Sequence, residues 1–359
     1  MEVIKSIVFC AERPDNGPTG GAAGVMYLLR QYLNTRKCKY PIDYMYRKTS
    51  RKQFVIDLIK DSFKRKNTYY ICHEPDSASI LSLLRKRYSL VYHQQGPIVQ
   101  EYVNHESKPK GYKIKKKKLI ERLAFSGAET VFFPSIGASA EYFNSKYATM
   151  KKKDINIGKP LYNTINTNEE VIPLEDVHRD DSIITFLSVG TMSELKGQDL
   201  SFEFISSFVK LSGKRIRWIT VGDGLIKENI QEMCHSLEKN NSLFTYIHYN
   251  KIPHGSVLYL DSISDVYLMM HRSSIFDLAT LEAMNCGCAV VLSDIGGNRD
   301  FNANNNVILV NPNDIAAGAR RLIDTDIVAL KSKNKSTFDQ YFSPEMFSER
   351  YIQMINDID

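Results

Sequence analysis

The sequence predicts an α/β protein that consists of two domains, each built on a parallel sheet. Short apolar runs that read as buried strands alternate with stretches of helical periodicity, and the alternation occurs in both halves of the 359 residues. Hydrophobic residues make up 43% of the chain, which is enough for two cores. The halves differ in charge: residues 1–165 hold 30 Lys and Arg against 14 Asp and Glu, and residues 166–359 hold 17 against 27. The basic first half is therefore expected to face an anionic partner.

The first half opens with a predicted strand over residues 5–9, a glycine-rich loop and a helix. The loop contains Gly20 and Gly21, and glycines at such a place let the backbone approach a phosphate or a sugar closely. The loop matches the dinucleotide fingerprint poorly, so NAD is not indicated. An ordinary surface loop is the alternative interpretation.

Two later strands of the first half each end in a histidine. The strand at 68–72 runs into His73, and the strand at 90–92 runs into His93. Sites in parallel sheets form at the carboxyl ends of the strands, which makes both histidines candidates for a functional role. A structural role for each is equally compatible with its place in the sequence.

The most basic stretch runs from Lys108 to Lys118, and its last four residues are all lysine. Tyr112 and Leu119 supply apolar contacts beside these charges. The combination predicts binding to an anionic membrane surface, because each Lys or Arg near the lipid contributes about 1 kcal/mol. Nucleic acid is not predicted as a partner, since the sequence shows no aromatic stacking module and no helix-turn-helix. A solvated helix face is the alternative.

The six cysteines show neither metal-ligand spacing nor the pattern of a disulfide framework. No metal site is therefore predicted, and free thiols indicate a reducing compartment. The N-terminus shows no signal-peptide pattern, and no apolar run approaches the length of a transmembrane helix. These observations together predict a cytoplasmic protein.

The boundary between the domains is predicted where the chain turns polar at Asn163 and then acidic. This gives a first domain over 1–165, a second over 166–342, and a terminal helix over 343–359. The second domain repeats the alternation of strands and helices. Its predicted strands are 183–189, 217–221, 244–247, 266–270, 289–292 and 306–310, and its predicted helices are 200–211, 225–237, 257–262 and 315–323.

The stretch 274–287 is the centre of the second half. It follows an apolar strand and reads as a short helix that Asp277 caps and Gly287 ends. A helix that begins at the end of a strand offers free N–H groups to an anionic ligand. Glu282 is unusual because its neighbours in the helix are apolar and no basic residue lies three or four positions away. Its carboxylate therefore requires a polar partner from outside the helix.

Several motifs, taken in order and spacing, resemble one known family. This is the large bacterial family four of retaining, nucleotide-sugar-dependent glycosyltransferases, also described as glycosyl transferases group 1. The similarity covers nearly the whole chain and is strongest over 183–297. The motifs are Gly20 with Gly21, His93 followed by Gly96, Asn163, Gly-x5-Lys-Gly at 190–197, Val-Gly-Asp-Gly at 221–224, the run at 275–287, and Gly296 with Gly297.

The resemblance implies the GT-B architecture, in which two Rossmann-like domains face each other across a cleft. The second domain would bind a nucleoside-diphosphate sugar, here a UDP-sugar, with no metal and no further cofactor. The terminal helix would cross back to the first domain. The sugar would pass to a lipid-linked glycan of a bacterial surface, such as lipopolysaccharide or capsule. The enzyme would then be peripheral on the inner face of the cytoplasmic membrane.

The resemblance also implies roles for individual residues. Glu282 would hold the ribose hydroxyls, Lys196 would clamp the diphosphate as it leaves, and His93 would hydrogen-bond the donor sugar or the phosphate. The leaving phosphate would deprotonate the acceptor on the same face, so that no protein nucleophile is needed. These three residues form the predicted catalytic set. The predicted donor-binding set is Gly20, Gly21, Gly190, Thr191, Lys196, Ser274, Phe276, Asp277, Leu278 and Glu282.

The sequence departs from the family at three of these positions. Ser274 stands where the first glutamate of the E-x7-E motif contacts the donor sugar, Thr191 replaces a basic residue, and Asp277 replaces a glycine. Asp277 could supply the missing carboxylate, although capping the helix is the simpler explanation. Two alternatives follow from these departures. One is a catalytically degenerate GT-B partner subunit, and the other is a UDP-sugar 2-epimerase that acts without an acceptor.

Overall fold

The chain folds into two compact units, each built on a parallel sheet, as the sequence predicts. The first unit comprises Met1–Thr164 together with Pro344–Asp359, and the second comprises Ile165–Ser343. The structure is a computed structural model that describes residues 3–11, 21–94, 96–106 and 108–358.

The first unit contains a five-stranded parallel sheet with helices packed on it. Its elements before the unit boundary are β1 (Ser6–Ala11), α1 (Gly21–Leu33), β2 (Ile42–Tyr46), α2 (Arg51–Lys64), β3 (Thr68–Cys72), α3 (Pro75–Leu83), β4 (Tyr88–Val91), α4 (Ile98–His105), α5 (Gly111–Ser126), β5 (Thr130–Phe132) and α6 (Ile136–Asn144). The strand order is β2-β1-β3-β4-β5. Strands β3 and β4 are buried throughout, which explains why they read as apolar runs.

Strand β2 and helix α2 are absent from the sequence-based prediction. Strand β2 is an edge strand and only partly buried, so its residues do not form an apolar run. Helix α2 begins after Ser50, whose hydroxyl accepts a hydrogen bond from the Gln53 N–H at 3.2 Å. The cap signal is local and is present in the sequence. Assigning the strand, however, requires knowledge of its neighbour β1, with which it pairs in parallel.

A buried carboxylate joins α5 to the segments around it in the first unit. Glu121 accepts hydrogen bonds from the hydroxyls of Tyr92 at 2.6 Å, Thr149 at 2.8 Å and Tyr142 at 3.1 Å. It also accepts the backbone N–H of Ile98, the first residue of α4, at 2.8 Å. Burial raises the pKa of Glu121, and these hydrogen bonds oppose that effect. One side chain thus fixes α5 to α4, α6 and the segment that follows β4.

The second unit contains a six-stranded parallel sheet with the order β11-β10-β9-β6-β7-β8. Its elements are β6 (Ile184–Val189), α7 (Gln198–Ser212), β7 (Ile216–Val221), α8 (Lys227–Asn240), β8 (Phe244–Tyr249), α9 (His254–Ile263), β9 (Val266–Met269), α10 (Leu278–Asn285), β10 (Ala289–Ser293), β11 (Val307–Val310), α11 (Ile315–Ile323) and α12 (Ile327–Thr337). The six predicted strands all occur, each within two residues of its predicted bounds. Helix α12 is missing from the prediction, because its sequence lacks a clear apolar face.

The last helix, α13 (Pro344–Asn356), lies in the first unit. Its buried Tyr351 ring lies 6.2 Å from the ring of Phe9 on β1 and 6.2 Å from the ring of His73. The helix begins with Pro344 at its first position, where proline is well tolerated because no backbone N–H is needed there. The chain therefore leaves the first unit after Thr164 and returns to it at Pro344.

Candidate active site

The loops that follow β6, β9 and β10 in the second unit meet through backbone contacts that require glycine. Gly197 has φ of 69°, and a Cβ at this position would collide with the carbonyl oxygen of Met270, just beyond β9. A Cβ at Gly297 would collide with the carbonyl oxygen of Ile275. The Gly297 N–H also donates to the Ser274 carbonyl at 2.8 Å. The motif glycines thus bring three loops together at the carboxyl edge of the sheet.

Lys196 and Asp277 form an ion pair in these loops. The Lys196 Nζ lies 2.6 Å from Oδ1 of Asp277 and 3.4 Å from Nε2 of His271. His271 is fully buried, whereas the Lys196 side chain retains 29% of its exposure. The ammonium is therefore held in one place by a carboxylate, on a side chain that remains partly exposed.

The second oxygen of Asp277 caps helix α10. Its Oδ2 accepts from the Thr280 N–H at 3.3 Å, from the Thr280 hydroxyl at 3.2 Å and from the Tyr267 hydroxyl at 3.3 Å. The predicted N-cap is confirmed. The cap and the ion pair with Lys196 occur together because each uses a different carboxylate oxygen.

The pair is electrically balanced. Burial by itself would raise the pKa of Asp277, but Lys196 and His271 outweigh burial and hold that pKa well below its usual range. Burial lowers the pKa of His271, against the opposite influence of Asp277, so the ring is neutral at neutral pH. Its Nδ1 is buried and has no hydrogen-bond partner in the part of the chain that the structure describes.

Glu282 has the external polar partner that its sequence context requires. Nε2 of His254 lies 2.9 Å from Oε1 of Glu282, and Nδ1 of the same ring lies 2.8 Å from Oε1 of Glu169. The hydrogen bond to Glu282 is the main cause that raises the pKa of His254 to about 9, against the effect of burial. His254 is therefore an imidazolium at neutral pH and donates to both carboxylates.

In the first unit, His73 and His93 form a pair at the carboxyl ends of β3 and β4. Their rings stack with centroids 5.3 Å apart, and Nδ1 of His73 lies 3.1 Å from Nε2 of His93. Burial, followed by the proximity of His93, lowers the pKa of His73 well below its usual range. The two predicted candidates thus contact each other, and His73 engages the Nε2 of His93.

The other predicted donor-binding residues differ in their surroundings. Gly190 directly follows β6, has φ of 143° and faces the Lys196 side chain. Thr191 is exposed, and Ser274 is buried. The Phe276 ring stacks on Phe301 with centroids 4.4 Å apart, so its side chain belongs to the core.

Three further predicted residues lie at helix starts or beyond the described ranges. Leu278 is the first residue of α10, and Gly21 is the first residue of α1. Gly20 lies outside the described residues.

Helix α5 carries an exposed stripe of apolar and basic side chains, which we call the basic stripe. Tyr112 and Leu119 are 66% and 58% exposed and lie seven residues apart, hence on one face of the helix. Exposed Lys115, Lys116 and Lys118 lie between them in the sequence and belong to the stripe, and exposed Arg122 continues it. Among the described residues, no helix combines the length and the apolar character that crossing a membrane requires.

The loops around the ion pair lie within a recognised family domain. The family described as "Glycosyl transferases group 1" matches residues 175–334, which include Lys196, His254, Asp277 and Glu282. Over these residues the chain is similar to the group 1 glycosyl transferases. We call this stretch, which occupies most of the second unit, Ile165–Ser343, the group 1 domain.

Part of the chain is similar to a protein of known name. This relative is one of the subunits of phosphatidylinositol N-acetylglucosaminyltransferase from Arabidopsis thaliana. It is 27% identical over 138 residues, which are 38% of this chain and 30% of that protein. The chain thus spans about a third of the length of the curated relative it matches.

Solved structures are similar to the whole chain. Sucrose-phosphate synthase from Thermosynechococcus elongatus has a TM-score of 0.65 at 16% identity, with 99% of each chain covered. The HepE protein of Anabaena in complex with UDP and glucose has a TM-score of 0.63 at 16% identity, covering 99% of this chain and 100% of that one. Together with the group 1 domain, these likenesses confirm the predicted GT-B fold.

The set predicted from the sequence lacks His254, which contacts Glu282, and His271, which contacts Lys196. It also lacks Glu169, the second partner of His254. His254 lies 28 residues before Glu282 in the chain, and His271 lies 75 residues after Lys196. The one signal available was the missing partner of Glu282, which predicts that a polar group exists but not which one.

Proposed function

We propose that this protein is a retaining glycosyltransferase that moves a sugar from a UDP-sugar to a lipid-linked glycan at a membrane surface. The observation that carries the proposal is the arrangement around α10 in the group 1 domain. The ammonium of Lys196, on a partly exposed side chain, lies beside the N-terminus of this helix, and the carboxylate of Glu282 lies one turn further along it. A cation and a carboxylate with this spacing suit a diphosphate and a ribose diol respectively.

Lys196 supports binding of the diphosphate. The ammonium lies beside the N-terminus of a helix, where backbone N–H groups and the helix dipole favour an anion. Its pairing with Asp277 holds the side chain at this place. As the bond between the sugar and the diphosphate breaks, negative charge grows on the leaving phosphate. A cation fixed beforehand stabilises that charge without having to reorganise.

Glu282 supports binding of the ribose. Its Oε1 is held by His254, and no hydrogen bond to its Oε2 occurs among the described residues. The side chain is 14% exposed, so a ligand can reach it from solvent. A carboxylate accepts hydrogen bonds from hydroxyl groups, and neighbouring hydroxyls of a ribose present two donors.

Retention of configuration requires no nucleophile from the protein in this proposal. The leaving phosphate takes the proton of the acceptor hydroxyl on the same face of the sugar. His93 hydrogen-bonds the donor sugar or its phosphate, and the contact of His73 with its Nε2 orients the ring.

The names of similar proteins support a uridine nucleotide as the donor and a lipid-anchored molecule as the acceptor. The HepE structure contains UDP and glucose, which favours a uridine nucleotide as the donor. The name of the Arabidopsis relative joins N-acetylglucosamine to phosphatidylinositol, which favours an acceptor anchored in lipid. The basic stripe on α5 suits such an acceptor, because its lysines attract anionic headgroups and its two apolar side chains can enter the lipid surface.

Calorimetry with UDP and 2′-deoxy-UDP tests the role of Glu282 directly. The wild-type protein is expected to bind UDP more tightly than GDP and more tightly than 2′-deoxy-UDP. Glu282→Ala is expected to weaken UDP binding about 10- to 100-fold, the effect of lost charge-assisted hydrogen bonds. In that variant, UDP and 2′-deoxy-UDP should bind equally well. The exposed Glu203 on α7 provides a matched control, since Glu203→Ala should bind UDP as the wild type does.

A GT-B subunit without transfer activity is the second candidate. The observation that favours it is the neutralisation of Lys196 by Asp277. The family resemblance adds that Ser274 stands at the position where a glutamate is expected. The same calorimetry decides between the two candidates. A wild-type protein that binds neither UDP nor GDP would contradict the transferase proposal and favour the degenerate subunit.

Vesicle binding tests the membrane part of the proposal. Replacing Lys115, Lys116 and Lys118 by Gln is expected to weaken binding to anionic vesicles about 100-fold, since each lysine contributes about 1 kcal/mol. All three are exposed, whereas Lys117 packs its ammonium over the Tyr102 ring and is left intact. Binding of UDP should not change.

A second lysine triplet supplies the control for that experiment. Lys151, Lys152 and Lys153 are exposed in the same unit but lie outside α5. Their replacement by Gln removes the same net charge and should reduce vesicle binding much less. Equal losses in the two triple variants would show that overall charge, rather than the basic stripe, attracts the protein to the membrane.

A further inference from the structure

His254 is a half-exposed histidine between carboxylates that come from two different parts of the second unit. Glu282 lies on α10, and Glu169 lies in the segment that follows the unit boundary at Ile165. The distances of 2.8 and 2.9 Å are those of hydrogen bonds between charged groups. Both ring nitrogens are used, and each one points at a carboxylate oxygen.

A third carboxyl group lies nearby but does not compete for the ring. Asp261, on α9 itself, is fully buried, and neither of its oxygens has a hydrogen-bond partner in the described part of the chain. Burial, followed by the charge of Glu282, raises the pKa of Asp261 well above its usual range, so this group is neutral. The negative charges that face His254 are therefore those of Glu282 and Glu169.

The segment that carries Glu169 is also fixed by its backbone. The Ile172 N–H donates to the carbonyl of Gly255 at 3.0 Å, and a Cβ at Gly255 would collide with the carbonyl of Glu170. The start of α9 thus holds this segment by one backbone hydrogen bond and by one side-chain contact, that of His254 with Glu169.

We propose that His254 is a positioning residue that presents Glu282 to the ribose of the donor. Through its second ring nitrogen, His254 also links Glu282 to the segment that carries Glu169. One ring nitrogen holds Oε1 of Glu282, which leaves Oε2 directed to the ligand. The other nitrogen holds Glu169. We call His254 with its two carboxylates, Glu282 and Glu169, the clamp. The identity of the ligand rests on the proposed function, but the clamp itself is a property of the protein alone.

The protonation of the ring determines whether both contacts exist. An imidazolium has two N–H groups and donates to both carboxylates, whereas a neutral imidazole has one N–H and must give up one contact. Because the folded-state pKa is raised to about 9 from the usual 6.5, the clamp is complete below about pH 6.5 and stays largely complete at neutral pH. It is lost as the pH rises through 9.

Nuclear magnetic resonance of the histidine ring tests the clamp without any nucleotide. The His254 signal, assigned by its absence in His254→Phe, is expected to titrate near pH 9 in the wild-type protein. Glu282→Gln and Glu169→Gln should each lower that pKa. A His254 ring that titrates near 6.5 would overturn the inference, whatever the protein binds.

Affinity for UDP as a function of pH tests the role in positioning. His254→Phe, which keeps a ring but removes both donors, is expected to weaken UDP binding about 10-fold at pH 7. The affinity of the wild-type protein should fall further than that of His254→Arg between pH 8 and 10, because guanidinium keeps its charge. The uracil ring loses a proton in the same range, so the comparison is made between variants at each pH.

Glu169→Gln separates positioning from a purely structural role. This change removes the competing carboxylate, so even a neutral His254 can donate its single N–H to Glu282. Affinity at pH 7 should stay within about twofold of the wild type, and the extra loss above pH 8 should disappear. A pH dependence identical to that of the wild type would overturn the inference.

The outcomes distinguish this inference from the proposed function. If the wild-type protein binds no uridine nucleotide, the proposed function fails, and the resonance titration still decides whether the clamp exists. If it binds UDP and His254→Phe binds UDP equally tightly or more tightly, the positioning role fails while the proposed function stands. The melting temperatures of His254→Phe and Glu169→Gln show whether a loss of UDP binding in either variant reflects loss of fold.

Discussion

Lys196→Ala is expected to reduce sugar transfer from a UDP-sugar about 10²- to 10³-fold, the size of effect seen when one fixed charge-stabilising group is removed from an active site. The reason is the place of the ammonium, at the N-terminus of α10 and 2.6 Å from a largely buried carboxylate. A cation fixed in this way needs no rearrangement when the leaving phosphate develops its charge. Transfer of radiolabelled sugar to an acceptor glycolipid, measured at saturating donor, checks the prediction.

A double variant supplies the control for Lys196→Ala. The single change leaves the Asp277 carboxylate without its cation, and an unpaired buried charge costs about 3–5 kcal/mol of stability. Lys196→Ala combined with Asp277→Asn removes both charges and keeps the cap on Thr280, because the amide oxygen can still accept. The double variant should recover the melting temperature but not the transfer rate. Recovery of transfer would show that Lys196 acts only on stability.

Glu121→Ala is expected to lower the free energy of unfolding of the first unit by about 3–5 kcal/mol and its melting temperature by roughly 10 °C. The variant removes the acceptor that the hydroxyls of Tyr92, Tyr142 and Thr149 share with the Ile98 N–H. Among these groups, only the Tyr92 hydroxyl is also within 2.9 Å of a backbone carbonyl of the described residues, that of Gly96. Thermal denaturation followed by circular dichroism measures the effect.

Glu121→Gln is the matched comparison for this second variant. The amide keeps one acceptor oxygen at nearly the same place, so a loss of about 1–2 kcal/mol is expected. An equal loss for Ala and Gln would show that charge matters more than the geometry of the acceptors. Melting of Glu121→Ala at the wild-type temperature would contradict the role of this carboxylate as a hub.

Local patterns account for the parts of the fold that the sequence predicts. Buried strands such as β9 and β10 consist almost entirely of apolar residues, and Asp277 lies directly before the helix that it caps. Edge strand β2 escapes prediction because it is only partly buried and is defined by its pairing with β1. A helix cap or a buried strand can be predicted from a few neighbouring residues, whereas the edge strand depends on a partner strand that is distant in the sequence.

The contacts of the site also divide into those that the local sequence indicates and those that depend on distant residues. The need of Glu282 for a partner is visible in the helix around it, because no basic residue is within reach. The identity of the partner, His254, depends on how α9 and α10 pack, which no local pattern records. The pairing of Lys196 with Asp277 likewise spans 81 residues. The sequence therefore predicts Lys196, Asp277 and Glu282 as candidates, but neither the histidines beside them nor how their charges are matched.

The contacts of Gly197 and Gly297 with backbone carbonyls show that the loops of the site are fitted to each other main chain against main chain. Neither contact leaves room for a side chain at the glycine. Any residue larger than glycine at either position would therefore shift two loops at once, because each contact joins the backbone of one loop to that of another.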